Sequence, residues 1–159
     1  MGLPAWLAHD LAILLPLYIA NAALLLIMRK CLLGRLHALD APLSLAAFGK
    51  SKTRLGLAIT ILLPAVFYLQ ALGMLCLLPG IGMALGTHAN SMLKRALGMR
   101  ENSPLPPLDQ LDFFIGGLAG LSLCGVHLYE PLLMAFITFG IHLSANMIAY
   151  KAGLKDVWW

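Results

Sequence analysis

Two aspartates, Asp109 and Asp112, are the residues of this chain whose type and spacing best suit chemistry. They stand three positions apart, so on a helix they share one face. Two carboxylates on one face can bind a hard cation such as Mg²⁺, which also bridges to phosphate oxygens. In the alternative reading Asp109 caps a helix and Asp112 stabilises its first turn. The spacing leaves both open, and the scarcity of acids, seven in 159 residues, favours the metal.

A stripe of hydroxyls and cations precedes the two acids. Thr87, Ser91 and Lys94 follow the i, i+4, i+7 spacing of one helix face, and Arg95 comes next. Such a stripe can grip a phosphate group. The alternative is structural: the small polar residues allow close helix packing, while the two cations reach the membrane surface.

A basic loop bounded by glycines, residues 49–56, is the third candidate. Lys52 and Thr53 lie where this loop runs into an apolar segment, and backbone amides at such a helix start can bind a polyphosphate. The loop lacks the GxxxxGK[ST] spacing of a P-loop. An ordinary basic loop that touches anionic lipids would have the same composition.

The elements that must position these residues are membrane helices. The chain is 60% hydrophobic and 11% charged, with a mean hydropathy of +0.86. One crossing takes about 20 apolar residues, so the chain holds at most about six and leaves no room for a soluble domain. Continuous apolar runs exclude a β-barrel, and three unpaired cysteines argue against disulfides or structural zinc. We therefore expect a single transmembrane helical domain, residues 1–159.

Apolar runs predict where the crossings lie. They cover residues 6–28, 55–93, 111–128 and 131–150, and the second run is long enough for two crossings with a turn near Pro79. The first run lacks the preceding basic residues of a secretory signal, so we expect it to be retained.

The distribution of charge supports a count of five. All eleven basic residues fall into three segments, 29–54, 94–100 and 151–155. Five helices place all three segments on one side of the membrane, and Lys and Arg accumulate on the cytoplasmic side. The prediction is an all-α polytopic membrane protein with five transmembrane helices, its N-terminus outside and its C-terminus cytoplasmic.

Polar residues inside the runs gather toward the same side. Asn21, His142 and Asn146 all fall in the cytoplasmic half of this topology, where polar groups are costly and tend to mark function. His142 and Asn146 could line a pocket or form a buried pair between helices. A polar pocket beneath a basic surface predicts chemistry on a phospholipid headgroup, with membrane lipids as partners and no nucleic acid.

Several motifs resemble the CDP-archaeol synthase family, which is related to the phosphatidate cytidylyltransferases. The resemblance covers nearly the whole chain in order. The motifs that carry it are Tyr18-Ile-Ala-Asn21 in the first run, Gly49 to Gly56, Ser91-x-x-Lys94-Arg95-x-x-Gly98, Pro107-Leu-Asp109-Gln-Leu-Asp112-Phe, and the ending Asn146-Met-Ile-Ala-Tyr150 with Lys155-Asp156-Val-Trp.

The resemblance implies an Mg²⁺-dependent nucleotidyltransferase at the plasma membrane, with its active site facing the cytoplasm. Such an enzyme uses CTP and a lipid phosphate, an archaeal ether-lipid phosphate or a phosphatidate-like lipid, to make a CDP-lipid and pyrophosphate. Asp109 and Asp112 would bind Mg²⁺ and, with Lys94, form the catalytic group. The implied substrate-binding residues are Asn21, Lys52, Thr53, Ser91, Arg95, Asn146 and Lys155.

Two positions depart from the family pattern. Thr87 and Lys50 stand where the family usually has an acid, so Asp109 and Asp112, with Asp156, remain to hold one Mg²⁺ rather than two. These losses keep an alternative open: a catalytically impaired relative that binds lipid or nucleotide, or assists a partner membrane protein.

Overall fold

The described part of the chain is helical. A computed structural model describes residues 2–26, 41–48, 52–100, 103–154 and 157. Among them there is no β-strand, and the isolated bridge found there pairs Pro42 with Thr53. This confirms the all-α prediction for the described residues. The elements in chain order are α1 (Ala5–Leu26), α2 (Leu45–Phe48), α3 (Arg54–Leu72), a 3-10 turn (Gly73–Cys76), α4 (Leu77–Ala96), α5 (Leu108–Leu123) and α6 (Pro131–Lys151).

Three segments of the described chain are long and apolar enough to cross a membrane. They are Ala5–Leu24, Arg54–Ala96 and Pro131–Lys151. Large apolar side chains on these segments point away from the protein; Val66 is 69% exposed and Leu132 is 78% exposed. Apolar surface of this kind on helices of spanning length suits contact with lipid tails.

The 43-residue segment Arg54–Ala96 doubles back on itself. Gly73, directly after α3, has a φ of 53°, a left-handed value that glycine adopts without steric cost. α4 then packs along α3, and a Cβ added to Gly80 would lie 2.5 Å from the Ile61 carbonyl oxygen. The chain therefore reverses at residues 73–76. The sequence predicted this turn near Pro79, a few residues later. Pro79 falls in the first turn of α4, where a missing N–H breaks no helical hydrogen bond.

Glycines bring α4 and α5 into backbone contact. A Cβ on Gly82 would lie 2.1 Å from the Gly116 carbonyl oxygen, and one on Gly86 would lie 2.2 Å from that of Asp112. Further along, a Cβ on Gly120 of α5 would lie 2.2 Å from the Leu78 carbonyl oxygen. Small residues four apart on both helices allow this close approach. The contact fixes the end of α4 beside the start of α5, which carries the two aspartates.

α5 starts and ends earlier than its apolar run. The sequence predicted residues 111–128, whereas the helix covers Leu108–Leu123. Gly125 has a φ of 76°, and the Val126 N–H bonds back to the Leu121 carbonyl at 3.0 Å. This is the usual geometry of a glycine-terminated helix. Because residues 124–128 are also largely apolar, hydropathy alone could not locate the end of the helix at Leu123.

A buried carboxylate in α1 fixes the start of α6. Asp10 is fully buried and accepts hydrogen bonds from the N–H groups of Tyr129 and Glu130, each at 3.0 Å. His9 Nδ1 lies 3.1 Å from the same carboxylate, and the His9 ring packs against the Tyr129 ring. We call this group the Asp10 cap. It joins two elements more than 100 residues apart in the sequence.

Candidate functional site

The carboxylates of Asp109 and Asp112 are both hydrogen-bonded to the side-chain amide of Asn90. Asn90, near the end of α4, donates from Nδ2 to Asp109 Oδ1 at 2.8 Å and to Asp112 Oδ2 at 2.9 Å. The close packing of α4 on α5 makes this contact possible, because Gly86 lies one turn before Asn90 and touches the backbone of Asp112. Two carboxylate oxygens from successive helical turns therefore face one point.

Lys94 completes the group. Its Nζ lies 2.6 Å from Asp109 Oδ1 and 2.7 Å from Asp109 Oδ2, and it also donates to the Ser103 carbonyl at 2.9 Å. Asn90 and Lys94 are four residues apart, so they share one face of α4. We call Asn90, Lys94, Asp109 and Asp112 the acid–amide cluster.

Asp109 lies in the first turn of α5 and not at the N-cap, where the structural alternative placed it. Its Oδ2 accepts the Leu105 N–H at 2.8 Å. The N-cap position of α5 is Pro107, which makes no side-chain hydrogen bond, and Asp109 belongs to the first turn. A carboxylate in the first turn interacts favourably with the helix dipole. The same side chain therefore stabilises the helix and takes part in the cluster.

Lys52 brings a second cation to the cluster. Burial lowers the pKa of its ammonium below the ordinary value, and the carboxylates of Asp112 and Asp109 oppose that shift. The Lys52 carbonyl accepts the Leu43 N–H at 2.9 Å, which fixes the backbone before α3. Thr53 is the N-cap of α3, and its side chain accepts the Gly56 N–H at 3.1 Å. Lys52 and Thr53 thus enter the site from the segment preceding α3.

A cavity of ≈ 760 Å³ adjoins the cluster. Four of the predicted substrate-binding residues line it: Asn21, Lys52, Thr53 and Asn146. Asp109, Asp112 and Lys94 are not in its wall. Lys52 lines the cavity and also interacts with both acids. The rest of the lining is mixed, with apolar groups such as Phe113, Ile141 and Ile148 beside polar groups such as Thr87, His88 and His142.

The predicted hydroxyl stripe is engaged with its own helix. The Ser91 hydroxyl donates to the Thr87 carbonyl, and the Thr87 hydroxyl donates to the Ala84 carbonyl, each at 3.0 Å. Serine and threonine often bond to the preceding turn in this way. Ser91 does not line the cavity, whereas Thr87 does. Arg95 is half-buried in the last turn of α4, and Lys155 lies outside the described residues, as does Lys50.

Two polar contacts around the cavity join helices. His142 Nδ1 lies 3.0 Å from the Gln110 carbonyl oxygen, so Nδ1 is the donor of this bond. Tyr18 and Thr138 are 2.7 Å apart through their hydroxyls, and Thr138 donates to the Met134 carbonyl. Tyr18 is therefore the donor of that pair. His142 thus lines the pocket and also bonds between helices, combining the two alternatives.

Sequence reasoning gave no role to Asn90, although it is central to the cluster. Asn90 is 9% exposed, and its Oδ1 has no hydrogen-bond partner within the described part of the chain. The available signal was a polar residue one turn before Lys94 on the same face. Among the residues that the structure describes, His88 Nε2, Arg95 Nε and Gln110 Oε1 are also buried without a partner.

The donor set of the cluster fits Mg²⁺ bound together with a substrate. No group of three or more His, Cys, Asp or Glu that could hold a metal exists among the described residues. Mg²⁺, however, is commonly bound through one or two carboxylates plus substrate phosphates and waters. Asp109 Oδ1 and Asp112 Oδ2 lie within 2.9 Å of one shared atom, so both can reach one ion. The unpartnered Asn90 Oδ1 beside them is another hard oxygen.

Comparisons with known proteins agree with the motifs. The family model for CarS-like CDP-archaeol synthase matches residues 53–159. A CDP-archaeol synthase of Methanopyrus kandleri is 32% identical over a match that covers 100% of this chain and 98% of the relative. Those of Methanocaldococcus jannaschii and Methanococcus aeolicus are 41% and 43% identical over 50% and 55% of this chain. The chain spans about half the length of these last two relatives, 45% and 49%.

A solved structure gives the same result for the fold. It is described as an intramembrane enzyme for archaeal membrane lipids biosynthesis, and it is similar to this chain with a TM-score of 0.63 and 26% identity. The likeness covers 86% of this chain and 91% of that one. The resemblance drawn from the motifs is confirmed, and the chain belongs to the CDP-archaeol synthase family.

Proposed function

We propose that the protein transfers a cytidylyl group from CTP to a lipid phosphate and forms a CDP-lipid and pyrophosphate. The observation that carries the proposal is the convergence of two acids and two cations beside a large cavity. Lys94 pairs directly with Asp109, and Asn90 joins Asp109 to Asp112. Lys52 interacts electrostatically with both acids. The family relatives bear the name of this reaction's product, CDP-archaeol.

Each side chain of the cluster has a task in this reaction. An oxygen of the lipid phosphate attacks the α-phosphorus of CTP, and the bond from that phosphorus to the β-phosphate bridging oxygen breaks. Asp109 and Asp112 would hold Mg²⁺ on the triphosphate, where the ion would offset negative charge on the leaving pyrophosphate. Lys94 and Lys52 would neutralise phosphate oxygens. Such a reaction depends on positioning and charge compensation rather than on a covalent enzyme intermediate.

The cavity supports a lipid as the second substrate. Its wall joins α1 and α6, and includes Tyr18 and Thr138 at one level and Asn21 and Asn146 nearer the basic segments. A pocket that is apolar along most of its wall and polar at a few points can hold a lipid tail and orient its headgroup. We propose an unsaturated archaeal ether-lipid phosphate as the natural acceptor, with phosphatidate-like lipids as the candidates to exclude.

We also propose five membrane crossings, with the N-terminus outside and the cluster on the cytoplasmic side of the plasma membrane. The doubling back of residues 54–96 supports two crossings there, since α4 packs along α3. α5 packs along α4 through glycine contacts at both ends and supplies the fourth crossing. Lys94, Arg95 and Lys151 then share the side to which positive charge is biased.

The direct test is an assay with purified protein in detergent, CTP labelled at the α-phosphorus, and a panel of lipid phosphates. We expect labelled CDP-lipid and unlabelled pyrophosphate when Mg²⁺ is present, with product lost on chelation and restored by added Mg²⁺. Archaeal ether-lipid phosphate should be converted faster than phosphatidate.

The same assay judges the alternative of an impaired relative. Absence of labelled lipid from every acceptor, in protein that still binds CTP, would contradict transferase activity and support a binding role. The retained pair Asp109 and Asp112 favours the enzyme.

A further inference from the structure

Asn90 holds an atom that the packed protein leaves unsatisfied. Its side chain is 9% exposed, and Oδ1 has no hydrogen-bond partner among the described residues. Its Nδ2 meanwhile bridges the carboxylates of Asp109 and Asp112. A buried carbonyl oxygen without a donor costs free energy, so its retention calls for a physical reason.

Rotation of the Asn90 side-chain amide gives a reason for a buried oxygen without a donor. A half-turn about χ2 swaps Oδ1 and Nδ2, which have nearly the same shape. With the nitrogen inward, two N–H groups hold two carboxylates together. With the oxygen inward, three oxygens face one point, an arrangement that only a cation between them can stabilise. Without a cation the nitrogen-inward state is favoured, because the flip would remove both hydrogen bonds to the acids and turn an oxygen toward two carboxylates. A cation bound between the three oxygens would reverse that preference.

We propose that Asn90 is a third oxygen ligand of the cation bound by Asp109 and Asp112, and that its N–H groups take the cation's place until the ion arrives. This inference rests on the proposed function, which puts Mg²⁺ at those two acids. Hard cations accept amide carbonyl oxygens together with carboxylates. The chain would thereby supply three ligands from two helices that glycine contacts hold in register.

Binding of Mn²⁺, a paramagnetic substitute for Mg²⁺, tests this without any turnover. Free Mn²⁺ is measured by electron paramagnetic resonance during titration of the detergent-purified full chain. We expect Asn90→Leu, which keeps side-chain volume but offers no oxygen, to weaken Mn²⁺ binding roughly 10- to 100-fold. Asn90→Asp, which supplies an oxygen but no N–H, should bind Mn²⁺ at least as tightly as the unmodified chain.

If Asn90 only bridges the two acids and does not bind the cation, Asn90→Asp should bind Mn²⁺ differently. If Asn90 served only to donate to the acids, Asn90→Asp would weaken Mn²⁺ binding as much as Asn90→Leu, and that outcome overturns the proposal. Unchanged binding in Asn90→Leu overturns it as well. Gln70→Leu, an amide removed from an exposed position of α3, is the matched control and should bind Mn²⁺ normally.

Asp112→Asn separates this proposal from the one on which it rests. Weakened Mn²⁺ binding in Asp112→Asn with normal binding in Asn90→Leu would keep the cation site and reject Asn90 as a ligand. Normal binding in both, or no binding in the unmodified chain, would reject the cation site itself. Gel filtration of each variant establishes that it is folded, and Asn90→Asp decides the matter should Asn90→Leu fail to fold.

Discussion

The Asp10 cap and the acid–amide cluster lie near opposite ends of α5 and treat buried carboxylates differently. Asp10 is bonded to two backbone N–H groups and a histidine, and it is fully buried. Asp109 and Asp112 share an amide whose oxygen has no partner in the described part of the chain, next to a cavity of ≈ 760 Å³. Both carboxylate oxygens of Asp10 are hydrogen-bonded within the protein, whereas the acid–amide cluster contains an oxygen, Asn90 Oδ1, without a hydrogen-bond partner among the described residues.

This difference teaches how to separate stabilising acids from functional ones. A fully buried carboxylate such as Asp10, with both oxygens bonded to backbone N–H groups of another element, holds elements together and has little left to offer a ligand. Asp109 and Asp112 each accept one backbone N–H but are also held by side chains, Asn90 for both and Lys94 for Asp109. A cation can replace those side-chain partners at the carboxylates, and the released Lys94 can then bind a phosphate. Removing the first kind should cost stability, and removing the second should cost activity.

The largest expected effect comes from Asp109→Asn or Asp112→Asn. Each substitution removes a charge from the acid–amide cluster, and we expect CDP-lipid synthesis to fall by roughly 10²- to 10³-fold, the usual loss for a key electrostatic group. The thermal unfolding midpoint of Asp112→Asn should change little, whereas Asp109→Asn should also lower it because Lys94 loses its ion pair. An Asp112→Asn variant with normal turnover would break the comparison, because the cluster would then be as structural as the Asp10 cap.

Gly116→Ala tests whether helix contact positions the cluster. The new Cβ would lie 2.1 Å from the Gly82 carbonyl oxygen, so α4 and α5 must separate. We expect a loss of about 1–3 kcal/mol in unfolding free energy and reduced activity, because Asn90 moves away from the acids. Gly140→Ala is the control, since a Cβ at Gly140 meets nothing within 4 Å. Equal behaviour of the two variants would contradict the role of the contact.

Asp10→Ala should give the opposite pattern to Asp112→Asn. It deprives the Tyr129 and Glu130 N–H groups of their acceptor, and we expect about 1–2 kcal/mol of lost stability, as for removal of a helix cap. Activity per folded molecule should be retained. Lost activity in protein that unfolds at the normal temperature would show that the Asp10 cap also serves catalysis.

Tyr18→Phe should have the smallest effect. It removes the hydroxyl that donates to Thr138, while Thr138 keeps its own bond to the Met134 carbonyl. No buried donor is left without an acceptor, so the expected loss of stability is about 1 kcal/mol. The unfolding midpoint measures it, and a loss as large as that of Asp10→Ala would show that this contact matters more than its geometry suggests.

The sequence allowed the acids and Lys94 to be placed together because helical spacing and membrane sidedness are both readable from residue type. Asp109 and Asp112 had to share a face, and charge bias put the basic segments on the same side. The helical class followed from composition. The predicted position of the chain reversal, near Pro79, was wrong, because proline is tolerated in a first helical turn and did not mark the turn at residues 73–76.

Contacts between helices were out of reach of that reasoning. Asn90 meets the acids only because Gly82 and Gly86 pack against α5, and spacing within one helix does not say which helix it touches. The Asp10 cap joins positions about 120 residues apart, so helical spacing could not predict its partners. The sequence did contain one sign that Asp10 has a partner. Asp10 is an acid in an otherwise apolar run, and such a residue needs a specific partner.

Mg²⁺-dependent CTP binding shows whether the acid–amide cluster binds a metal–nucleotide complex. Equilibrium binding of labelled CTP is measured with and without Mg²⁺, in the absence of lipid phosphate, for the unmodified chain, Asp112→Asn and Asp10→Asn. We predict that Mg²⁺ tightens CTP binding roughly 10-fold or more in the unmodified chain and in Asp10→Asn, and has no effect in Asp112→Asn. The same Mg²⁺ effect in all three proteins would contradict the account.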